Sequence, residues 1–282
     1  MLQTGRLQFY TVSEDSVSIY SDPGAGSFLL QMNIGGFMSA DQADHVFENS
    51  DPGVGSFCFD DTVAEVFSDM ASRSIPGYGT IADTIGRIGA VYATRETSIY
   101  DLGCSLGEVT LSLRRRINPD LKNRIIAVDN SPAMIERCRS RIMAYRSAVP
   151  VEIVLGDIGD IKIENASVAV LNFVLQFIDP SCRNQILRKI CDGLNPGGIL
   201  IISEKLHQED SVLEDLLTDL YLDFKRSNGY SELEISRKRT ALENVLIPDT
   251  WNDLSHRLTK AGFSHVGRWF QTYNFCSCIA IK

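Results

Sequence analysis

Four positions in this chain repeat one pattern: a short apolar run followed by a side chain that can bind a polar ligand. Asp101 stands near the end of TSIYDL (97–102), Asp129 ends RIIAVD (124–129), Asp157 ends VEIVLGD (151–157) and Asn172 ends SVAVLN (167–172). The first run leads into Gly103-Cys104-Ser105-Leu106-Gly107. Glycines at such a turn let the backbone approach a ligand closely. A carboxylate at the tip of the next strand can accept hydrogen bonds from both hydroxyls of a ribose. One strand further on, a carboxylate can meet an adenine amino group. Each acid alone is more often a helix cap, but caps do not explain the recurrence at successive strand ends.

Two rival readings of the turn are weaker. It is not a G-x-G-x-x-G dinucleotide fingerprint, because Ser105 and Gly107 fall out of register. It does fit G-x-S-x-G, the nucleophile elbow of serine hydrolases, with Ser105 as nucleophile and His256 or His265 downstream. That reading lacks a preceding oxyanion glycine motif and leaves Asp101 and Asp129 without a task.

The elements that must position these residues alternate. Apolar strands are separated by helical stretches: Ile81, Ile85, Ile88 and Val91 recur at helical spacing, and Ser131-Pro132 is an N-cap with a first-turn proline. LNPGG (194–198) reads as a sharp turn into a fifth strand, GILIIS, and CSCIAIK as a last strand. Continuous apolar strands alternating with helices predict an α/β fold with a doubly wound, mainly parallel sheet covered on both faces. Its last strand is expected to be antiparallel, with a helical insertion near 206–260.

Composition narrows the classes of function. A net charge of −9 argues against direct nucleic-acid binding and against docking on anionic membranes. Seven cysteines at irregular spacing and four scattered histidines give no metal-ligand pattern, and free thiols suit a reducing, cytoplasmic setting. Neither a membrane span nor a secretory signal is read. Residues 1–42 are weakly periodic and read as a poorly ordered extension, with Met38 an alternative start. SDPGAGSF (21–28) and SDPGVGSF (50–57) are read as two similar surface turns.

Taken together, the strand ends and the glycine turn resemble class I S-adenosylmethionine-dependent methyltransferases, with Ser105 in place of the middle glycine. The resemblance sharpens through DDTVAEVFSDMASRSIPGY, YDLGCSLG, DNSPAMIERCR, NASVAVLNFVLQF, LNPGG, SEK and FKRSNGYSELEISRKRTALENV. Over about 43–282, the catalytic domain, the chain resembles the bacterial carboxy-S-adenosyl-L-methionine synthases.

That resemblance implies a reaction. The methyl group of S-adenosylmethionine gains the carboxyl group of prephenate, leaving phenylpyruvate and water, and no metal is used. Positive sulfur stabilises an adjacent carbanion, so an ylide can capture the released carbon dioxide, and prephenate's departing hydroxyl can serve as base. The product feeds a separate enzyme that modifies the wobble uridine of transfer RNA. The resemblance also assigns residues. Gly103, Cys104 and Ser105 contact the methionine part of the cofactor, with Cys104 not a nucleophile. Asp129 and Asn130 hold the ribose, Asp157 and Ile158 flank the adenine, Asn172 lies near the sulfonium, and Tyr78 lines the pocket. Arg239 binds the new carboxylate and is expected to be delivered across a homodimer interface, with Arg237 and Lys238 beside it as solvated charges. An ordinary methyltransferase and a non-catalytic cofactor-binding protein are the alternatives.

Overall fold

A computed structural model describes residues 9–13, 16–20, 60–242 and 245–282. Two compact units divide the chain, Met1–Asp41 and Gln42–Lys282. In the first, β1 (Phe9–Ser13) pairs antiparallel with β2 (Ser16–Tyr20). The sequence reading placed no strand there, although Ser16, Val17, Ser18 and Ile19 alternate as a strand should. The rest of the proposed extension and both SDPG turns lie outside the described residues.

The second unit carries the helices α1 (Asp61–Ser74), α2 (Tyr78–Tyr92), α3 (Glu108–Arg116), α4 (Pro132–Ala144) and α5 (Pro180–Gly193). Its strands are β3 (Ser98–Leu102), β4 (Arg124–Asp129), β5 (Val151–Leu155), β6 (Ala166–Asn172) and β7 (Leu194–Lys205). After them come α6 (Ser211–Ser227), α7 (Glu232–Leu242), α8 (Trp251–Ala261), β8 (His265–Thr272) and β9 (Phe275–Ile281). The seven strands run in the order β5-β4-β3-β6-β7-β9-β8. The first five are parallel to their neighbours, and β9 lies antiparallel between β7 and β8. Strand order reverses between β3 and β6, which makes a crevice at their carboxyl ends.

The apolar strands are split by the pleat onto two faces. Ile99, Val168, Val170, Ile199 and Ile201 join one core with Ile81, Ile85, Val109 and Leu113 of α2 and α3. Tyr100, Leu102, Ala169, Leu171, Leu200 and Ile202 join the other with Ile186, Leu187 and Ile190 of α5 and Leu254 and Leu258 of α8. Both faces are therefore covered, as a continuous apolar run requires. Truncating a fully buried leucine such as Leu171 to alanine costs about 2–5 kcal/mol.

Local chemistry sets the ends of the helices. Ser131 Oγ accepts the Met134 N–H at 3.3 Å with Pro132 in the first turn of α4, as the sequence predicts. Asp60 caps α1, Asp210 caps α6 and Thr250 caps α8.

Three details differ from the sequence reading. A further strand, β8, precedes the last one. LNPGG belongs to β7 as a wide bulge, because pairing with β6 jumps from Leu194 to Ile199, with Gly197 at φ 77°. Asp157 lies two residues beyond the end of β5, in the following loop.

Every matched motif lies beyond residue 42, so we expect a chain beginning at Met38 to fold and to keep its turnover. Circular dichroism and thermal unfolding check the first point, and an activity assay the second. Loss of soluble protein contradicts it.

Candidate active site

The carboxyl ends of β3 to β7 open into a cavity of about 1550 Å³. All ten residues named from the sequence lie on its wall: Tyr78, Gly103, Cys104, Ser105, Asp129, Asn130, Asp157, Ile158, Asn172 and Arg239.

The glycine turn is fixed from both sides. Gly103 and Cys104 donate their N–H groups to the Val128 carbonyl at 2.8 and 2.9 Å, which joins the turn to β4. Asp129 completes the join: one carboxylate oxygen accepts the Ser105 N–H at 2.8 Å and the other the Ser131 N–H at 2.9 Å. Each oxygen keeps a second acceptor site for a ligand. Burial raises the Asp129 carboxyl above its ordinary range, against the pull of these N–H groups. Asp101, almost fully buried, accepts the Thr110 hydroxyl at 2.5 Å, and burial pushes it up to about 6.

Gly103 has φ 80°, and a Cβ there would meet Val174 Cγ2 at 2.4 Å, so only glycine fits. Ser105 and Phe173 hold φ of 48° and 61°. Such conformations cost on the order of 1–3 kcal/mol each in residues other than glycine. Both strained residues line the cavity. The Ser105 hydroxyl donates to Met134 Sδ at 3.4 Å, and among the described residues no histidine lines the cavity to serve a hydrolase elbow as base. Contact with Cys138 and burial push the Cys104 thiol well above its ordinary value, which removes it as a nucleophile.

Beyond the turn, Asp157 Oδ1 accepts the Gly159 N–H at 2.6 Å, and Lys189 donates to the Ile158 and Gly159 carbonyls at 2.5 and 2.7 Å, fixing the loop. Ile158 packs its half-buried side chain against the core beside it. Asn130 is exposed at the rim. Asn172 Oδ1 is buried without a hydrogen-bond partner, an orphaned acceptor at a strand end. Tyr78 opens α2, its ring 6.4 Å from that of Phe173, and burial raises its hydroxyl further above its ordinary value.

Arg239 is exposed on α7 and lines the cavity of its own chain. Its neighbour Lys238 overturns the expectation of a solvated charge. It is buried, and its Nζ donates to the Ser74 hydroxyl at 2.9 Å and the Tyr230 hydroxyl at 3.3 Å. Arg237 is half-buried rather than freely solvated. Sequence reasoning also missed Lys205, Tyr221 and Lys225, which line the cavity from β7 and α6. Lys205 lies in the SEK motif and Lys225 in the FKRSNGY motif, but neither was assigned a task, and Tyr221 carried no signal. Among the described residues no group of three or more His, Cys, Asp or Glu is placed to hold a metal ion.

Comparisons with known proteins bear on the fold and the family. A family model described as a methyltransferase domain matches residues 99–198. Among solved structures, a putative O-methyltransferase from Nostoc punctiforme superposes with a TM-score of 0.56 at 18% identity, covering 79% of this chain and 60% of that one. Human N-acetylserotonin methyltransferase in complex with S-adenosylmethionine gives a TM-score of 0.55 at 17% identity, covering 79% and 55%. The chain thus spans little more than half the length of those two structures, and the likeness is one of fold.

The fold is that of the class I methyltransferase type. Sequence relatives are more specific. The carboxy-S-adenosyl-L-methionine synthase of Shewanella sediminis is 57% identical over 79% of this chain and 92% of its own length. That of Shewanella pealeana is 54% identical over 85% and 98%, and that of Salmonella paratyphi C 56% over 79% and 90%. The chain belongs to the carboxy-S-adenosyl-L-methionine synthase family.

Asp129→Ala is expected to weaken S-adenosylmethionine binding by about 1.5–3 kcal/mol for each ribose hydrogen bond lost. Calorimetry on the folded variant checks this, and unchanged affinity contradicts the assignment.

Proposed function

We propose that this enzyme converts S-adenosylmethionine and prephenate to carboxy-S-adenosyl-L-methionine, phenylpyruvate and water. The observation that carries this reading is Arg239: a guanidinium on the cavity wall with no acidic partner among the described residues. An ordinary methyl transfer has no need of it, whereas a carboxylate arriving beside the reacting carbon does. A guanidinium is permanently charged and can bind a carboxylate through two parallel hydrogen bonds.

The site suits the first substrate. The Asp129 carboxylate keeps acceptor sites for ribose hydroxyls, with Asn130 beside it. Asp157 and Ile158 offer an acid and an apolar face for adenine. Gly103, Cys104 and Ser105 cradle the methionine part, on a cavity-lining turn whose first residue is held to glycine by a φ of 80° and by the Val174 side chain. The orphaned Asn172 oxygen faces the sulfonium side, and Tyr78 closes the wall near Phe173. Bound S-adenosylmethionine supplies an acidified methyl carbon beside a positive sulfur. The carboxyl group lost by prephenate becomes bonded to that carbon, and the proton given up leaves with prephenate's hydroxyl as water. The chain's residues hold and orient the two reactants, and Arg239 holds the carboxyl group that moves.

On the same reading the enzyme is a homodimer in the cytoplasm, and its product is the carboxymethyl donor for wobble-uridine modification by a separate enzyme. Val212, Leu216 and Leu220 lie on one face of α6, with Leu213 beside them and Leu233 on α7, and all are substantially exposed. Such a stripe, next to the helix that bears Arg239, suits a second copy of the chain. Leu216→Glu combined with Leu220→Glu is expected to convert a dimer into monomers in analytical ultracentrifugation. An unchanged sedimentation coefficient contradicts an interface on α6.

Arg239→Ala should separate the two ligands. Its S-adenosylmethionine affinity should stay near wild type, while the carboxylated form loses about 2–5 kcal/mol and synthesis stops. Arg87→Ala, an exposed arginine paired with Asp83 on α2, should change neither. Titration of both ligands against both folded variants checks this. Equal weakening of the two by Arg239→Ala would mean a structural role.

A further inference from the structure

Among the described residues, five basic side chains line the cavity: Lys189, Lys205, Lys225, Lys238 and Arg239. Three are occupied. Lys189 is tied to the Ile158 and Gly159 carbonyls, and Lys238 to Ser74 and Tyr230. Lys225 is buried, with its Nζ 5.7 Å from the centre of the Tyr221 ring and 5.2 Å from that of Tyr230. Lys205 differs. Its Nζ lies 5.1 Å from the centre of the Tyr221 ring, and among the described residues it makes neither a hydrogen bond nor an ion pair.

The backbone that presents Lys205 is clamped. Its N–H donates to Gln176 Oε1 at 2.8 Å, and the preceding Glu204 accepts the Leu175 and Gln176 N–H groups at 2.9 Å each. The side chain leaves the end of β7, on the same sheet edge as Asn172, since Asn172 pairs with Ser203 two residues earlier. Two charged groups act on its ammonium, Glu214 and Arg239. Burial and the Arg239 charge lower its proton affinity, and Glu214 raises it. Glu214 is engaged elsewhere: it accepts the Gln208 N–H at 2.8 Å and lies 3.5 Å from His207 Nδ1. Two cations thus border one cavity, and among the described residues no anion is paired to either. Lys205 is half-buried, and a like charge within Coulomb reach of a half-buried ammonium is unfavourable until a ligand brings compensating charge.

We propose that Lys205 is the second of two anion anchors in this cavity, so that Lys205 and Arg239 together select a small substrate bearing two carboxylates. The inference rests on the carboxylate role given to Arg239 above. Arg239 takes the carboxyl group that moves, and Lys205 takes the carboxylate that stays on the departing product. Lys205 carries no proton-transfer step. It holds one end of the substrate, so its removal acts on binding of the second substrate and not on binding of S-adenosylmethionine.

The test is calorimetric binding of prephenate, a dicarboxylate, and of phenylpyruvate, a monocarboxylate, to the protein loaded with S-adenosylmethionine, with turnover measured in parallel. Lys205→Met is expected to weaken prephenate about 10- to 100-fold and raise its KM to match, with S-adenosylmethionine affinity within about twofold of wild type. Lys205→Arg should recover most of the loss. In Lys205→Met the preference for two carboxylates over one should shrink. Unchanged prephenate binding in Lys205→Met, or a wild-type protein that binds the two acids equally, overturns the proposal. A wild-type protein that binds prephenate through Lys205 yet forms no carboxylated product would overturn the reaction proposed above and leave the two-anchor reading standing.

Discussion

The Asp129 carboxylate is the point on which the site depends. It accepts one N–H from the glycine turn after β3 and one from the cap of α4, so two consecutive strand ends are held by one side chain. The turn is costly to form, because Ser105 takes a left-handed conformation where glycine would be free to sit. The hydrogen bond from the Ser105 N–H to Asp129 helps to offset that strain. The same carboxylate keeps free acceptor sites facing the cavity. Positioning of the turn and recognition of a ligand therefore draw on one group, and the parallel sheet is what brings its parts together.

The second layer of the site is added by the helices between β7 and β8. The first four parallel strands present acids and an amide at their ends, which suits ribose and adenine, and only Lys205 at the end of β7 brings a cation from the sheet. The α6–α7 segment changes the sign of the far wall. Buried Lys238 and Lys225 are used to pack the segment against Ser74, Tyr221 and Tyr230, while Arg239 is left facing the cavity. Basic residues in one helical segment thus divide into packing and ligand-facing groups by depth alone.

The sheet was legible because its determinants are local. Apolar runs, the glycine turn and the Ser131-Pro132 cap lie within a few residues of what they specify. β8 was not: HVGRWFQT mixes Gly267 and Arg268 into a half-buried strand that is defined by its partner β9. Lys238 could not be read as buried, because its partner Ser74 lies 164 residues away and nothing local to Lys238 predicts that contact. Tyr78 and Arg239 became visible through likeness to a family, and their meeting in one cavity with Asp129 is a tertiary fact. Lys205 was hidden for the same reason, since its significance comes from Arg239 and Tyr221 across the cavity.

The central claim is that this cavity builds and holds a carboxylated form of S-adenosylmethionine. Mass spectrometry of the small molecule released from the freshly purified, denatured protein tests it most directly. The account predicts a ligand heavier than S-adenosylmethionine by the mass of one carbon dioxide, with the added mass on the former methyl carbon in fragmentation. Recovery of only S-adenosylmethionine or its demethylated product, from a folded protein supplied with prephenate, would contradict it.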